Sequence, residues 1–178
     1  MRLSSLTRTH VVVRDDVVLP QAEAARERVH AEFIVVVTAD GNPLGVLGER
    51  ELDELGDLTG TLSSVADRFP ALVVVGGDPD ELTAAELLDL AELLGREGLR
   101  SVLVERDDQP VGVVPRAAVA AVLPLDLLDG VGVGDPDAPV PRYVCRKCAP
   151  PSFHLPRAGG QPPHCRRVLF HGAMETDA

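Results

Sequence analysis

The chain carries the same segment twice. Residues 35–47 read VVVTADGNPLGVL and residues 102–114 read VLVERDDQPVGVV. At an offset of 67 residues, Pro43 falls on Pro110 and Gly45 on Gly112, while Val35, Val37, Asp40 and Val46 fall on Val102, Val104, Asp107 and Val113. A repeat constrains a fold more than local propensity does, because each copy is one supersecondary unit that its neighbour helps to bury. The apolar triplets, interrupted by ADGN and RDDQ, read as strand, tight turn, strand. The flanks repeat as well. PQAEAARERVH (20–30) has helical composition with Pro at its start, where a missing N–H costs nothing. TAAELLDLAELLGREG (83–98) opens with a Thr83–Glu86 capping box and carries a broad apolar face of Leu87, Leu88, Leu90, Leu93 and Leu94. Gly95 or Gly98 ends it. ERELDEL (49–55) and RAAVAAVL (116–123) read as short helices after the hairpins, and VVVRDDVVL (11–19) and ALVVVGGDPD (71–80) as strands before the first helices. Each half therefore reads β-α-β-β-α, giving an α/β (α+β) chain.

That order, with PLGVLGERELDEL and PVGVVPRAAV after the turns, resembles a tandem pair of cystathionine β-synthase (CBS) domains. The resemblance covers residues 11–124, as repeats of about 11–57 and 62–124. It implies a cleft between repeats of the kind that takes an adenine nucleotide or S-adenosylmethionine, and self-association into a homodimer through the helices. In ligand-binding pairs the motif is Gly, two apolar residues, Ser/Thr, two residues, Asp; the hydroxyl contacts phosphate and the carboxylate accepts from the ribose hydroxyls. The chain departs from it. Gly45-Val46-Leu47 is followed by Gly48 at the hydroxyl position and Glu51 at the Asp position. Gly112-Val113-Val114 is followed by Pro115 and Ala118, so both polar groups are missing. The resemblance thus leaves Glu51 as a ribose acceptor and Arg50 as a phosphate contact in the first repeat, beside the alternative that both are solvated surface residues.

Residues 125–142, within PLDLLDGVGVGDPDAPVPRY, are rich in Pro, Gly and Asp and read as a linker. All three cysteines follow it. Cys145-x2-Cys148 can turn two thiolates toward one cation, and Cys165 returns a third after a short excursion. Residues 143–174 resemble a zinc ribbon. The fourth ligand expected is His171. His164 is the alternative, although neighbours in an extended segment face opposite ways, so it competes with Cys165. His154 falls where a turn or edge would leave it in water, and an exogenous ligand also remains open. Zinc suits this donor set better than iron, which in a rubredoxin-type site takes four thiolates. A structural site is expected: three thiolates make a poor Lewis acid, and Glu175 is the one Glu of the tail. About 30 residues cannot bury enough core to fold without the metal.

Charge divides along the same boundary. Residues 1–137 hold eleven Arg against twenty-six Asp and Glu, and residues 138–178 hold six Lys/Arg against two acids, within an overall net charge of −11. The acidic body repels phosphate backbones. The tail offers Arg142, Arg146, Lys147, Arg157, Arg166 and Arg167 for phosphate, with Tyr143 and Phe153 for base stacking. The N-terminus MRLSSLTRTHVVVRDD lacks an apolar signal-peptide core, and AAVAAVLPL (117–125) is too short to span a bilayer, so a cytoplasmic location is expected. There is no P-loop, nucleophile elbow, dinucleotide fingerprint or His-Glu-x-x-His run. The expectation is a non-catalytic regulatory or scaffold protein whose ribbon meets another macromolecule. The alternatives are an adenine-nucleotide or S-adenosylmethionine sensor, and a nucleic-acid-binding protein.

Overall fold

The computed structural model describes residues 3–56, 60–76, 82–122, 142–155, 162–165 and 167–177. The predicted linker lies outside them except for Arg142, as do Arg157 and Arg166. The first repeat runs β1 (His10–Arg14), α1 (Leu19–Arg28), β2 (Phe33–Val37), β3 (Pro43–Leu47) and α2 (Glu49–Leu55). The second runs β4 (Leu72–Gly76), α3 (Ala84–Arg96), β5 (Ser101–Arg106), β6 (Gln109–Pro115) and α4 (Arg116–Val122). Both halves are therefore β-α-β-β-α. Short 3-10 turns, Leu3–Leu6 and Leu62–Arg68, precede the first strand of each repeat. The sequence reading did not anticipate them.

The local signals act as expected. Thr83 caps α3: its Oγ1 accepts from the Glu86 amide at 3.3 Å, and the Glu86 carboxylate accepts from the Thr83 amide at 2.7 Å. Pro20 sits in the first turn of α1. Past α3, Gly98 takes a positive φ of 66°. Leu90, Leu93 and Leu94 point inward from α3 into a core with Val73, Val102 and Val114. The leucine face is thus spent on the second repeat's own interior.

In each repeat the first two strands are parallel, as a crossover helix requires, and the last two form an antiparallel hairpin. The hairpins are not related by one offset. On β3 and β6 the offset is 67, but the facing strands differ: Val35 opposes Val46, whereas Leu103 opposes Val113. Val35 is thus the structural counterpart of Leu103, not of Val102, and Val36, not Val37, is the counterpart of Val104. The side-chain faces agree. Val35, Val46, Leu103 and Val113 share one core layer, while Val102 and Val104 belong to another. The cause is the turn. Asp107 and Asp108, at φ of 50° and 60°, close β5–β6 in the tight manner of a two-residue hairpin. The first hairpin spends one more residue around Gly41, at φ 79°. A slip of one residue would turn every side chain to the wrong face, so the pleat decides the register and the turn absorbs the difference.

The two sheets face each other across that shared layer, Val35, Val37, Val46, Leu72, Val74, Leu103 and Val113, all buried. The repeats also clasp one another at the duplicated glycines. A Cβ on Gly45 would lie 2.8 Å from Phe69 Cδ2, in the segment leading into β4. A Cβ on Gly112 would overlap Thr7, in the segment leading toward β1. Each repeat thus sends its lead-in segment across the glycine of the other, and Arg8 pairs with Val113 beside the second crossing.

The C-terminal segment continues the second sheet. β7 (Arg142–Cys145) and β8 (Ser152–His154) form an antiparallel pair, β9 (Glu175–Asp177) joins the other side of β7, and β8 docks parallel on β4. The sheet order is β6-β5-β4-β8-β7-β9, beside a three-stranded β1-β2-β3 sheet. Val74, central in β4, is 2% exposed, but its counterpart Val12 in β1 is 46% exposed. Among the described residues no strand covers the outer edge of β1. The crossings yield a stability prediction. Gly45→Ala and Gly112→Ala should each lower stability by about 1–3 kcal/mol through overpacking. Gly95→Ala, in the exposed last turn of α3, should raise stability by up to about 1 kcal/mol. Urea unfolding midpoints of the three variants check this.

Candidate metal centre and inter-repeat cleft

Two knuckles and a 3-10 turn assemble one cluster. Cys145 ends β7, and the chain turns so that the Cys148 amide donates to the Cys145 carbonyl at 3.4 Å. Cys165 lies in a second turn, where its amide donates to Gly172 and Met174 returns a bond to Pro163. Residues Leu169–His171 form a 3-10 turn that brings His171 back to the cluster after the five residues that follow Cys165. The Sγ atoms of Cys145, Cys148 and Cys165 and a ring nitrogen of His171 lie within 4.8 Å of one another. His171 Nδ1 is 3.4 Å from Cys145 Sγ, 3.4 Å from Cys148 Sγ and 3.9 Å from Cys165 Sγ, and Cys148 Sγ is 3.5 Å from Cys165 Sγ. Zinc–ligand lengths in a tetrahedron require about 3.8 Å between sulfurs and about 3.5 Å between sulfur and nitrogen. The spacing fits, and the sulfurs stand too far apart for a disulfide.

The electrostatics of the cluster favour a thiolate at Cys165. The Cys165 thiol is pulled down to about 4, first by the hydrogen bond from Cys148 and then by the backbone N–H groups of Val168 and Arg167. Cys148 is pushed up chiefly because it donates to Cys165, so the two shifts describe one shared proton. The Arg167 side chain is buried; burial lowers its pKa, and the charges of Cys148 and Cys165 oppose that change.

The other histidines stand apart from the cluster. His164 is exposed and bridges to Ala173, facing away from Cys165 as alternation requires. His154 corrects the expectation of a solvated ring: it is buried at 2% exposure in β8, with Nδ1 on the Leu155 carbonyl. The stacking candidates are corrected too. Tyr143 and Phe153 are 3% and 5% exposed, because β7 and β8 are inner strands of a six-stranded sheet. Of the basic residues named for phosphate, Arg146 and Lys147 are exposed, and Arg167 is buried. The residue missed is Phe170, 98% exposed beside His171, with Val168 at 36%. No sequence pattern marks it, because its exposure follows from the bulged turn.

A cleft of about 240 Å³ opens between the repeats, lined by Leu47, Glu51, Glu54, Arg68, Pro70 and Arg100 among others. It holds one of the two residues expected to meet a nucleotide. Glu51 is nearly buried, and both its carboxylate oxygens are engaged. One accepts from the Gly48 amide at 2.9 Å, capping its own helix, and the other accepts from Arg100 at 2.8 Å. Arg100 also donates to Glu54 at 2.9 Å. Arg50 instead lies on the outer face of α2, three-quarters exposed, 3.3 Å from Glu54. Arg100 was not legible as a cleft residue because it belongs to no motif; it arrives from the other repeat, just before β5. The Glu54 carboxyl is held below the usual carboxylate range, first by its hydrogen bond from Arg100. Its folded pKa is depressed, so its stabilising share is present above the ordinary carboxylate pKa and is lost as pH falls through the lowered value. An NMR carboxyl titration should place Glu54 below its ordinary range in the native protein and return it toward that range in Arg100→Ala.

No protein-family model matches the sequence, and no curated protein matches it. Solved structures do match in fold. The CBS domain of a CBS-domain-containing membrane protein from Sphaerobacter thermophilus superposes with a TM-score of 0.51 at 20% identity, over 70% of this chain and 89% of that one. The CBS domain pair of protein MJ0100, solved in complex with 5′-methylthioadenosine and S-adenosyl-L-methionine, superposes with a TM-score of 0.51 at 12% identity, over 74% of this chain and 98% of that one. Among the described residues no helix is long and apolar enough to cross a membrane. The chain has the fold of a tandem CBS-domain pair, and the Cys3His cluster near its C-terminus is compatible with a zinc knuckle.

Proposed function

We propose that this is a non-catalytic regulatory or scaffold protein, in which a CBS pair with a self-occupied cleft supports a structural zinc knuckle. The observation that carries this reading is the state of Glu51. In the first repeat, the carboxylate at the ribose-accepting position is already satisfied by Gly48 and Arg100. In the second repeat, the corresponding positions are Pro115 and Ala118, which offer no side-chain hydrogen bond. A nucleotide would have to break a nearly buried ion pair before making one bidentate contact.

Zinc would be held by Cys145, Cys148, Cys165 and His171. With four protein ligands it supplies cross-linking and no open position for chemistry. The knuckle presents Phe170 and Val168 to solvent beside Lys147, whose ammonium donates to the His171 carbonyl at 2.9 Å. A fully exposed phenylalanine on a metal-braced turn supports a role in protein contact. A homodimer through the CBS pair and a cytoplasmic location belong to the same reading.

The zinc-loaded chain is expected to carry about one equivalent of metal by elemental analysis. His171→Ala should weaken retention against a chelator, whereas His164→Ala should leave it unchanged. Calorimetric titration with AMP, ATP and S-adenosylmethionine is expected to give baseline heats. Roughly micromolar binding that disappears in Glu51→Ala would establish the sensor reading in its place.

Phe170 also bears on nucleic acid, as an exposed ring on the turn whose His171 carbonyl accepts from Lys147. The acidic body opposes that use. A gel shift with short DNA and RNA at low salt is expected to show no retardation. Retardation that salt weakens and Phe170→Ala removes would assign the knuckle to nucleic acid instead.

A further inference from the structure

Arg167 is buried, at 5% exposure, although it lies on the bulged loop between Cys165 and His171. Its guanidinium reaches in two directions. Nη1 donates to the Pro150 carbonyl at 2.7 Å, two residues past Cys148 in the first knuckle. Nη2 donates to the Ala66 carbonyl at 2.9 Å, in the 3-10 turn that leads out of the first repeat. The same Ala66 carbonyl accepts from the Phe69 amide at 3.3 Å. Phe69 is the ring that packs on Gly45, and its chain neighbours Arg68 and Pro70 line the inter-repeat cleft.

We propose that Arg167 is the positioning residue that couples the metal centre to the inter-repeat cleft: it fastens the metal-holding loop to the Ala66–Phe69 segment, so that loading the metal orders the cleft wall. This rests on the reading of the Cys3His cluster as a zinc site.

Charge and geometry both support the coupling. Three thiolates and a neutral imidazole around a dication leave one negative charge in excess. A buried cation at the cluster offsets it, and the cluster in turn offsets the cost of burying the guanidinium. The planar fork of Arg places two donors on two separate backbone segments at once, which a Lys ammonium reaches less well. The loop bearing Arg167 is tied down on one side by Cys165 and on the other by His171. Without metal, the loop keeps the Cys165–Gly172 and Met174–Pro163 backbone bonds at its base and the Lys147 bond to His171, but it loses the ligand bonds on both sides of Arg167. The hydrogen bond to Ala66 then loses its anchorage, and the Phe69 turn is held by its own bond and by packing. By linkage, an ordered cleft wall tightens metal binding by the same factor.

The test is hydrogen–deuterium exchange on the full zinc-loaded chain, followed in peptides covering residues 62–71, before and after chelation, with metal content measured first. In the native chain, chelation should speed exchange in that segment several-fold. In Arg167→Ala that still holds zinc, exchange there should be fast before chelation and change little after it. Arg167→Lys should fall between the two, and it carries the same comparison if the Ala variant does not retain metal. Unaltered exchange at 62–71 on chelation of the native chain would overturn the proposal while leaving the zinc site standing. So would an Arg167→Ala chain that responds to chelation as the native one does. A native chain that takes up no zinc would overturn the metal reading itself, and the coupling with it.

Discussion

The structure depends on one apolar layer, the seven residues pressed between the two sheets. Four of them, Val35, Val46, Leu103 and Val113, are equivalent positions of the two repeats. Burying an aliphatic side chain of this size contributes about 1.5–3 kcal/mol, and neither repeat can bury this face without the other. That is why the chain is duplicated and why the lead-in segments cross. Thr7 and Phe69 each close the edge of the partner's layer, and the glycines they cover must stay without side chains. Gly45 and Gly112 therefore belong to the interface between repeats as much as to the hairpins that contain them.

The C-terminal segment solves a different problem. A parallel strand such as β4 offers an open edge, and unpaired edges invite wrong pairing. β8 closes it, bringing Val144, Phe153 and Leu155 into the core of the second repeat. The metal cluster then sits at the far side of that added hairpin, and Arg167 ties its loop to the 3-10 turn that leads into β4. The tail thus holds the second repeat at two places, the edge of its sheet and the turn before β4, and that turn packs on the first repeat's core through Val65 and Ala66. The cleft is bridged in a comparable way, by the fork of Arg100 set across Glu51 and Glu54 of the opposite repeat.

Much of this was legible in the chain itself. The duplication, the order of elements, the Thr83 cap and the bounds of α2 follow from short-range rules: period, composition and capping chemistry act over a few residues. The Cys-x2-Cys turn and the placing of His171, not His164, beside the three cysteines were also readable, because strand alternation removes a neighbour of Cys165 from the same face. The misreadings share a cause. Tyr143, Phe153 and Arg167 looked like surface groups for a nucleic acid, and His154 looked solvated, because burial was judged without knowing that β8 would dock on β4.

Sequence by itself thus determined that two like units would fold with a cysteine-rich knuckle after them, since those properties are written in residue types and spacings. Tertiary structure decided what is shared between distant segments. It set the true register of the second hairpin, shifted by one residue because the pleat, and not the alignment, chooses the buried face. It occupied Glu51 with an arginine 49 positions away, and it buried Arg167 against a carbonyl 101 positions away. No local pattern encodes such meetings, because they come about only when two sheets and an added strand have packed.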